Sequence, residues 1–149
     1  MRGNRKLGIV EILLLYIMIQ KKIYSYKDLI VWQKSMTLVD EIYKVTKKFP
    51  QEELFSLTNQ IRRSAVSIPS NIAEGHQRGT RKDYAHFITI AFGSSAELET
   101  QLLIARRQNY NTMNDFEKCD NFLEEVVKML NTLQSKLRNS HESSSPPTT

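Results

Sequence analysis

The side chains best suited to chemistry form three basic clusters: Arg62 with Arg63, Arg78 with Arg81 and Lys82, and Arg106 with Arg107. Guanidinium and ammonium groups bind phosphate, and the second cluster lies at a predicted helix N-terminus, where backbone amides also favour anions. Aromatic residues are not interleaved with these cations, so base stacking is not indicated. The clusters predict a salt-sensitive contact surface for the phosphates of RNA or DNA, with a solvated face as the alternative.

Catalytic and metal-binding patterns are weak. A di-metal site in a helical bundle needs two Glu-x-x-His pairs from facing helices, and the nearest approach is the single pair Asp83 and His86. The adjacent Ser94 and Ser95 have no histidine at helical spacing, and there is no glycine-rich phosphate loop. We therefore expect no enzyme activity, no metal and no cofactor.

An ion pair is expected between the second and third predicted helices. Antiparallel pairing about the intervening loop places Arg62 near Gly93, one turn from Glu97. A bridge from Arg62 or Arg63 to Glu97 or Glu99 would be partly desolvated. Such a pair would fix the register of the helices more than it would stabilise them.

The segment 67–75 lies at the middle of the chain. It contains Pro69, the proline that falls within a predicted helix. Pro69 falls within a helical pattern and predicts a kink. Asn71 and Glu74 are expected to brace the kink or the following loop. Gly75 is expected to end the helix in the left-handed conformation.

Apolar residues at three-four spacing predict four helices, over about 28–49, 51–75, 81–107 and 115–137. Asp28 begins the first, either as its N-cap or within a short turn, and Leu54 is assigned to the core face of the second. Thr80 and Asp83 form a capping-box-like pair before the third. Short loops between long helices predict an all-α, antiparallel up-down-up-down four-helix bundle with a Pro-kinked second helix.

The first of these helices carries two apolar stripes. They are Leu29, Trp32, Met36, Val39 and Tyr43, and beside them Val31, Leu38, Ile42, Val45 and Phe49. One bundle seam does not need so wide a face, so the excess predicts self-association.

Composition fits one soluble domain of 149 residues, with a bundle over 26–140 and a disordered tail over 141–149. The net charge of +5 is uneven, because residues 1–26 hold five Lys/Arg against one acid and residues 27–140 hold sixteen against fourteen. Bulk charge is therefore a weak argument for nucleic acid. The single Cys119 excludes an internal disulfide and is assigned to the core of a reduced, cytoplasmic protein.

Residues 1–25 are treated as an N-terminal extension. Their apolar run, 7–19, would reach only about 20 Å as a helix, short of the roughly 30 Å bilayer core. An added helix, a membrane-surface anchor and translated upstream sequence without a fold role are the three interpretations. The last is favoured, and a membrane partner is not expected.

Four segments together resemble one protein family. They are 26–33 (YKDLIVWQ), 60–65 (QIRRSA), 67–75 (SIPSNIAEG) and 93–101 (GSSAELETQ). They resemble the 23S rRNA-intervening sequence proteins, which are small bacterial four-helix bundles, and the likeness covers about residues 26–138. That family is similar to the accessory variability protein of diversity-generating retroelements, a basic pentameric barrel that binds nucleic acid and a reverse transcriptase.

The resemblance implies a homopentamer with RNA or DNA as a ligand and a nucleic-acid-processing enzyme as a partner. The near-neutral bundle departs from so basic a relative, and residues 1–23 have no counterpart in the family pattern. The leading hypothesis is a non-enzymatic homo-oligomer that presents the seven basic residues to nucleic acid. The alternative is a protein–protein scaffold or accessory subunit without nucleic-acid contact.

Overall fold

Residues 6–19, 23–111 and 113–139 are described by a computed structural model, and all their regular structure is helical. Five α-helices follow one another: α1 (Ile9–Ile19), α2 (Ile30–Thr46), α3 (Leu57–Gln77), α4 (Arg81–Arg107) and α5 (Met113–Asn139). Since the described residues contain no strand, the predicted all-α class is confirmed. The tail expected to be disordered lies outside the described residues.

Helices α2 to α5 enclose one apolar core. Within the described residues, each packs against two of the others, while α2 does not contact α4 and α3 does not contact α5. Residue numbers rise along α3 as they fall along α4 in two hydrogen-bonded pairs, Ser64 with Gln101 and Ser67 with Ser94, so these helices run antiparallel. The predicted stripe of α5 faces inward, and its Phe116 is fully buried.

The start of the bundle is a short capped turn. Asp28 belongs to the 3-10 turn Tyr26–Asp28, where its carboxylate accepts the backbone N–H of Ser25 at 3.0 Å. The second alternative for Asp28, a turn leading into the helix, is therefore the one observed. α2 begins two residues later at Ile30.

The connection from α2 to α3 is longer than the sequence indicated. A second 3-10 turn, Gln51–Glu53, follows Pro50, and α3 begins only at Leu57. Leu54 therefore precedes the helix and is 39% exposed. Its assignment to the core was wrong, because the helical period was extended into residues that form a turn.

Helix α3 continues through Pro69 to Gln77. The amide Nδ2 of Asn71 donates to the carbonyl oxygen of Ser67 at 2.7 Å and to its hydroxyl at 2.9 Å, so Asn71 braces the turn that contains the proline. The structural role assigned to Asn71 has a contact to support it. The bend expected at Pro69 stays a prediction.

Gly75 lies inside α3, so the prediction that it ends the helix in the left-handed conformation was wrong. Gly79 is the glycine with positive φ, at 78°. The reason for glycine at position 75 is a close approach, because an added Cβ would lie 2.6 Å from Cβ of Phe87 and 3.2 Å from Cδ2 of Tyr84. Gly75 thus lets α3 and α4 pack closely.

Helix α1 stands apart from the bundle. Within the described residues, it packs against no other helix. None of the described helices is both long enough and apolar enough to cross a membrane.

Candidate nucleic-acid interface

The first turn of α4 is fixed by a side-chain cap. The hydroxyl of Thr80 accepts the backbone N–H of Asp83 at 3.1 Å and donates to the Asp83 carboxylate at 2.7 Å. The predicted cap is confirmed. It places Arg81 and Lys82 at the positive end of the helix dipole, beside backbone N–H groups that have no partner within the helix.

The start of α4 is tied to the end of α5. Arg81 donates from Nη2 to the carbonyl oxygen of Lys136 at 2.7 Å and from Nε to that of Leu137 at 3.4 Å. These bonds satisfy carbonyls that the last turn of a helix leaves open. They also bring Lys82, Lys136 and Arg138 to the same end of the bundle.

Six exposed cations gather at this end, which we call the basic end: Lys27, Arg78, Arg81, Lys82, Lys136 and Arg138. Three acids accompany them, and each has a structural partner. Asp28 caps the first turn, Glu74 pairs with Arg78, and Asp83 belongs to the α4 cap. Six cations against three acids leave an excess of three positive charges.

Arg78 is held at the end of α3 by two contacts. Its Nη2 lies 2.7 Å from Oε1 of Glu74, and its guanidinium carbon lies 5.2 Å from the centre of the Phe87 ring. The hydrogen bond and the charge of Glu74 both raise the pKa of Arg78. The contact between Glu74 and Arg78 is compatible with the bracing role assigned to Glu74, which stays a prediction. In contrast, Lys82, Lys136 and Arg138 have no carboxylate within 4.0 Å in the part of the chain that the structure describes.

The opposite end of the bundle is close to neutral. Lys48 pairs with Asp115, and Arg106 pairs with Asp120. Arg106 also lies 4.8 Å from the centre of the Phe116 ring and keeps only 19% of its side chain exposed. Arg106 is therefore occupied by contacts within the bundle, and Arg107 next to it is exposed.

Arg62 faces α2. Its Nε donates to Oγ1 of Thr46 at 2.9 Å, and its guanidinium carbon lies 4.7 Å from the centre of the Tyr43 ring. Among the ion pairs of the described residues, neither Arg62 nor Arg63 pairs with Glu97 or Glu99, so that prediction was wrong.

The physical reason is the face of α3 on which Arg62 lies. The pairs Ser64 with Gln101 and Ser67 with Ser94 bring the part of α4 around Glu99 level with Arg62, but the Arg62 side chain contacts α2 instead of α4. Glu97 instead accepts a hydrogen bond from Nε2 of Gln101 at 3.1 Å. The structural role assigned to Glu97 stays a prediction, and its observed partner is a residue of its own helix. Arg63 is exposed and lines a shallow polar concavity together with Glu97.

The seven cations predicted from the sequence do not form one surface. Arg78, Arg81 and Lys82 lie at the basic end, Arg106 and Arg107 at the opposite end, and Arg62 and Arg63 on the side between them. Sequence reasoning missed Lys27, Lys136 and Arg138, because it searched for cations adjacent in sequence. Antiparallel pairing of the last helix with its neighbour could have shown that its final turn meets Arg81.

An exposed apolar patch lies between α2 and α3 on another face. Of the two predicted α2 stripes, the one containing Leu38 and Ile42 is buried, whereas Tyr43 on the other is 39% exposed. Tyr43 lines an open concavity with Leu54, Phe55 and Val66, which are 39%, 90% and 40% exposed. We call these four residues the α2–α3 patch.

The metal and thiol sites considered from the sequence lie within the described residues. No three of their His, Cys, Asp and Glu side chains are grouped to hold a metal ion. Cys119 is 1% exposed, and burial raises the pKa of its thiol to about 12. Its assignment to the core is confirmed, and a thiolate nucleophile is excluded there at neutral pH.

Comparison with known proteins adds a family and a structural relative. Residues 27–132 match the family described as 23S rRNA-intervening sequence protein. A similar solved structure is that of a protein with unknown function from the S23 ribosomal protein family of Bacteroides thetaiotaomicron VPI-5482. It shares 29% identity and a TM-score of 0.65, over 70% of this chain and 98% of its own. Among the curated proteins there is no match.

The family match covers well over half of the chain, and the solved relative shares the helical fold. The resemblance inferred from the sequence is thereby confirmed. The chain belongs to the 23S rRNA-intervening sequence protein family.

Proposed function

We propose that this protein is a non-enzymatic homo-oligomer that binds the phosphate backbone of RNA or DNA through its basic end. One observation carries the proposal. Cations from the first turn, the α3–α4 loop and the end of α5 meet at one end of the bundle, while the acids there are engaged in structural contacts.

Phosphate is the ligand whose chemistry fits this end. Lys82, Lys136 and Arg138 offer charges without a local counter-ion, and the α4 N-terminus adds its dipole. Lysine and arginine charges of this kind are typical of phosphate contacts, so contacts to the backbone rather than to base edges are expected. Binding should therefore depend steeply on salt and weakly on sequence.

Self-association is supported by the α2–α3 patch. A Phe55 side chain that is 90% exposed beside three partly exposed apolar neighbours is costly in water. A second copy covering the patch would remove that cost, and the family resemblance implies five copies. Repetition of the basic end would raise avidity for a long strand without any new contact. A different protein, such as a nucleic-acid-processing enzyme, is the alternative occupant.

The binding test measures affinity for a structured RNA and for duplex DNA by fluorescence anisotropy at several salt concentrations. In the double variant Lys82→Glu, Lys136→Glu, the plot of log affinity against log salt should become less steep, by about 0.7–0.9 in slope for each lost phosphate contact. The matched control is Lys47→Glu, Lys118→Glu, which changes the same charge at the neutral end and should keep the slope. The proposal is refuted if both double variants lose the same amount of salt dependence, or if the wild type does not bind at low salt.

The assembly test measures solution mass by light scattering. The wild type should have a multiple of the 17.3 kDa protomer mass, and Phe55→Ser should shift it towards a single protomer. A wild-type protein that stays at 17.3 kDa at high concentration removes the homo-oligomer, whatever the binding test gives.

A further inference from the structure

Helix α1 exposes apolar side chains on every side. Eight of the nine residues 9–17 are large and apolar, with exposures from 45% to 79%: Ile9, Val10, Ile12, Leu13, Leu14, Leu15, Tyr16 and Ile17. The single acid, Glu11, uses its carboxylate to accept the backbone N–H of Gly8 at 2.9 Å. In the described part of the chain no other helix covers any face of α1.

The distribution of these side chains limits what can cover them. A groove on a protein covers one face of a helix, and here the other faces would remain apolar and exposed. Helices that are apolar all round occur in large cores or in lipid. Eleven residues reach only about 16 Å, roughly half of the 30 Å hydrocarbon core, so α1 does not cross and would lie along one leaflet with both of its ends near the headgroups.

The charges around α1 select the type of lipid. Lys6 precedes the helix, and in the sequence Arg2 and Arg5 come before it while Lys21 and Lys22 come after it. Cations on both sides of a short apolar helix complement a surface of anionic headgroups. From the sequence alone we favoured upstream sequence without a fold role, and the structure adds a continuous helix that no part of the bundle covers.

We propose that α1 inserts into one leaflet of an anionic bilayer and anchors the bundle to the membrane surface. The side chains of residues 9–17 enter the acyl region, and the flanking cations contact lipid phosphates. This proposal is independent of the nucleic-acid proposal, because it uses none of the residues of the basic end.

The test is co-sedimentation of the full chain with phosphatidylcholine vesicles, with and without phosphatidylserine. The wild type should sediment with the mixed vesicles and much less with phosphatidylcholine alone. The double variant Leu13→Glu, Leu14→Glu should lower the partition coefficient at least about tenfold, because two large apolar side chains no longer enter the lipid. The matched control is Leu103→Glu, Ile104→Glu, an adjacent pair on α4 with similar exposure, and it should sediment like the wild type.

Three outcomes overturn the proposal. The first is a wild-type protein that stays in the supernatant with both vesicle types. The second is equal loss of sedimentation in the α1 and α4 variants. The third is a wild-type protein that does not bind vesicles, together with a lower solution mass for the α1 variant but not for the α4 variant. In that case a second copy of the chain covers α1.

Discussion

Replacing Gly75 by alanine tests the close contact between α3 and α4. The added Cβ would lie 2.6 Å from Cβ of Phe87, an atom that is fixed by the α4 backbone and cannot rotate away. The two helices must therefore separate locally. Overpacking of this kind costs about 1–3 kcal/mol, whereas alanine gains up to about 1 kcal/mol over glycine in helix propensity. Because the clash involves a Cβ atom that cannot move aside, we expect the cost to exceed the gain, with a net loss of up to about 2 kcal/mol in the free energy of unfolding.

Gly93 supplies the matched control in the same helix pair. It lies within α4, and a Cβ there would meet no atom within 4 Å. Only the propensity term remains, so Gly93→Ala should stabilise the protein by about 0.5–1 kcal/mol. Replacing glycine by alanine should thus lower the free energy of unfolding at position 75 and raise it at position 93.

The assay is urea unfolding followed by far-UV circular dichroism at one fixed protein concentration. A lower midpoint for Gly75→Ala and a higher one for Gly93→Ala, with the slope unchanged, fit the reasoning. If Gly75→Ala is as stable as the wild type or more stable, glycine is not required there for packing and the close approach is refuted.

Three further results are expected. The Cys119 thiol, with its pKa raised to about 12 by burial, should resist a thiol reagent at neutral pH until the protein unfolds, and rapid labelling of the folded protein contradicts its core position. Arg62→Ala removes a hydrogen bond and a contact with the Tyr43 ring, so it should lower the free energy of unfolding by about 1–2 kcal/mol. Arg62→Lys keeps the charge and should recover only part of that loss, as measured by thermal unfolding. If Arg62→Lys is as stable as the wild type, the positive charge alone is what matters at this position. Hydrogen bonds from the hydroxyls of Ser56 and Tyr110 lower the pKa of Glu53 in the folded protein. The ionised carboxylate therefore stabilises the fold at pH values above its ordinary pKa of 4.5, and this stabilisation is lost as the pH falls through the lower pKa of the folded state. Glu53→Gln should lack that acid-side loss, and identical pH profiles would exclude the contribution.

Local patterns predicted the elements of this fold because their signals act within a few residues. The unbroken spacing in α5 identified a buried stripe, and the pair Thr80 and Asp83 identified the start of α4. Residue types at helical spacing are enough for such inferences. The burial of Cys119 followed from the same spacing.

Contacts between helices were harder to predict, because they depend on register and separation. A glycine near the end of a helical pattern can allow positive φ or a close approach, and the sequence does not separate the two uses. Gly79 has the positive φ, and Gly75 the close approach. Arg62 shows a related difficulty, since its position on the face of α3 that meets α2 left it beside Thr46 instead of an acid. The basic end was only half recognised, because its cations come from segments that are distant in sequence.

The unequal charge at the two ends of the bundle has a consequence for a cyclic ring whose protomers align their bundles with the ring axis. Rotation about a single axis places the same end of every copy on the same side. The three excess positive charges of each protomer would then add up on one rim, and the other rim would stay nearly neutral. Such a ring would have a front and a back, and a nucleic-acid strand would approach it from the front alone.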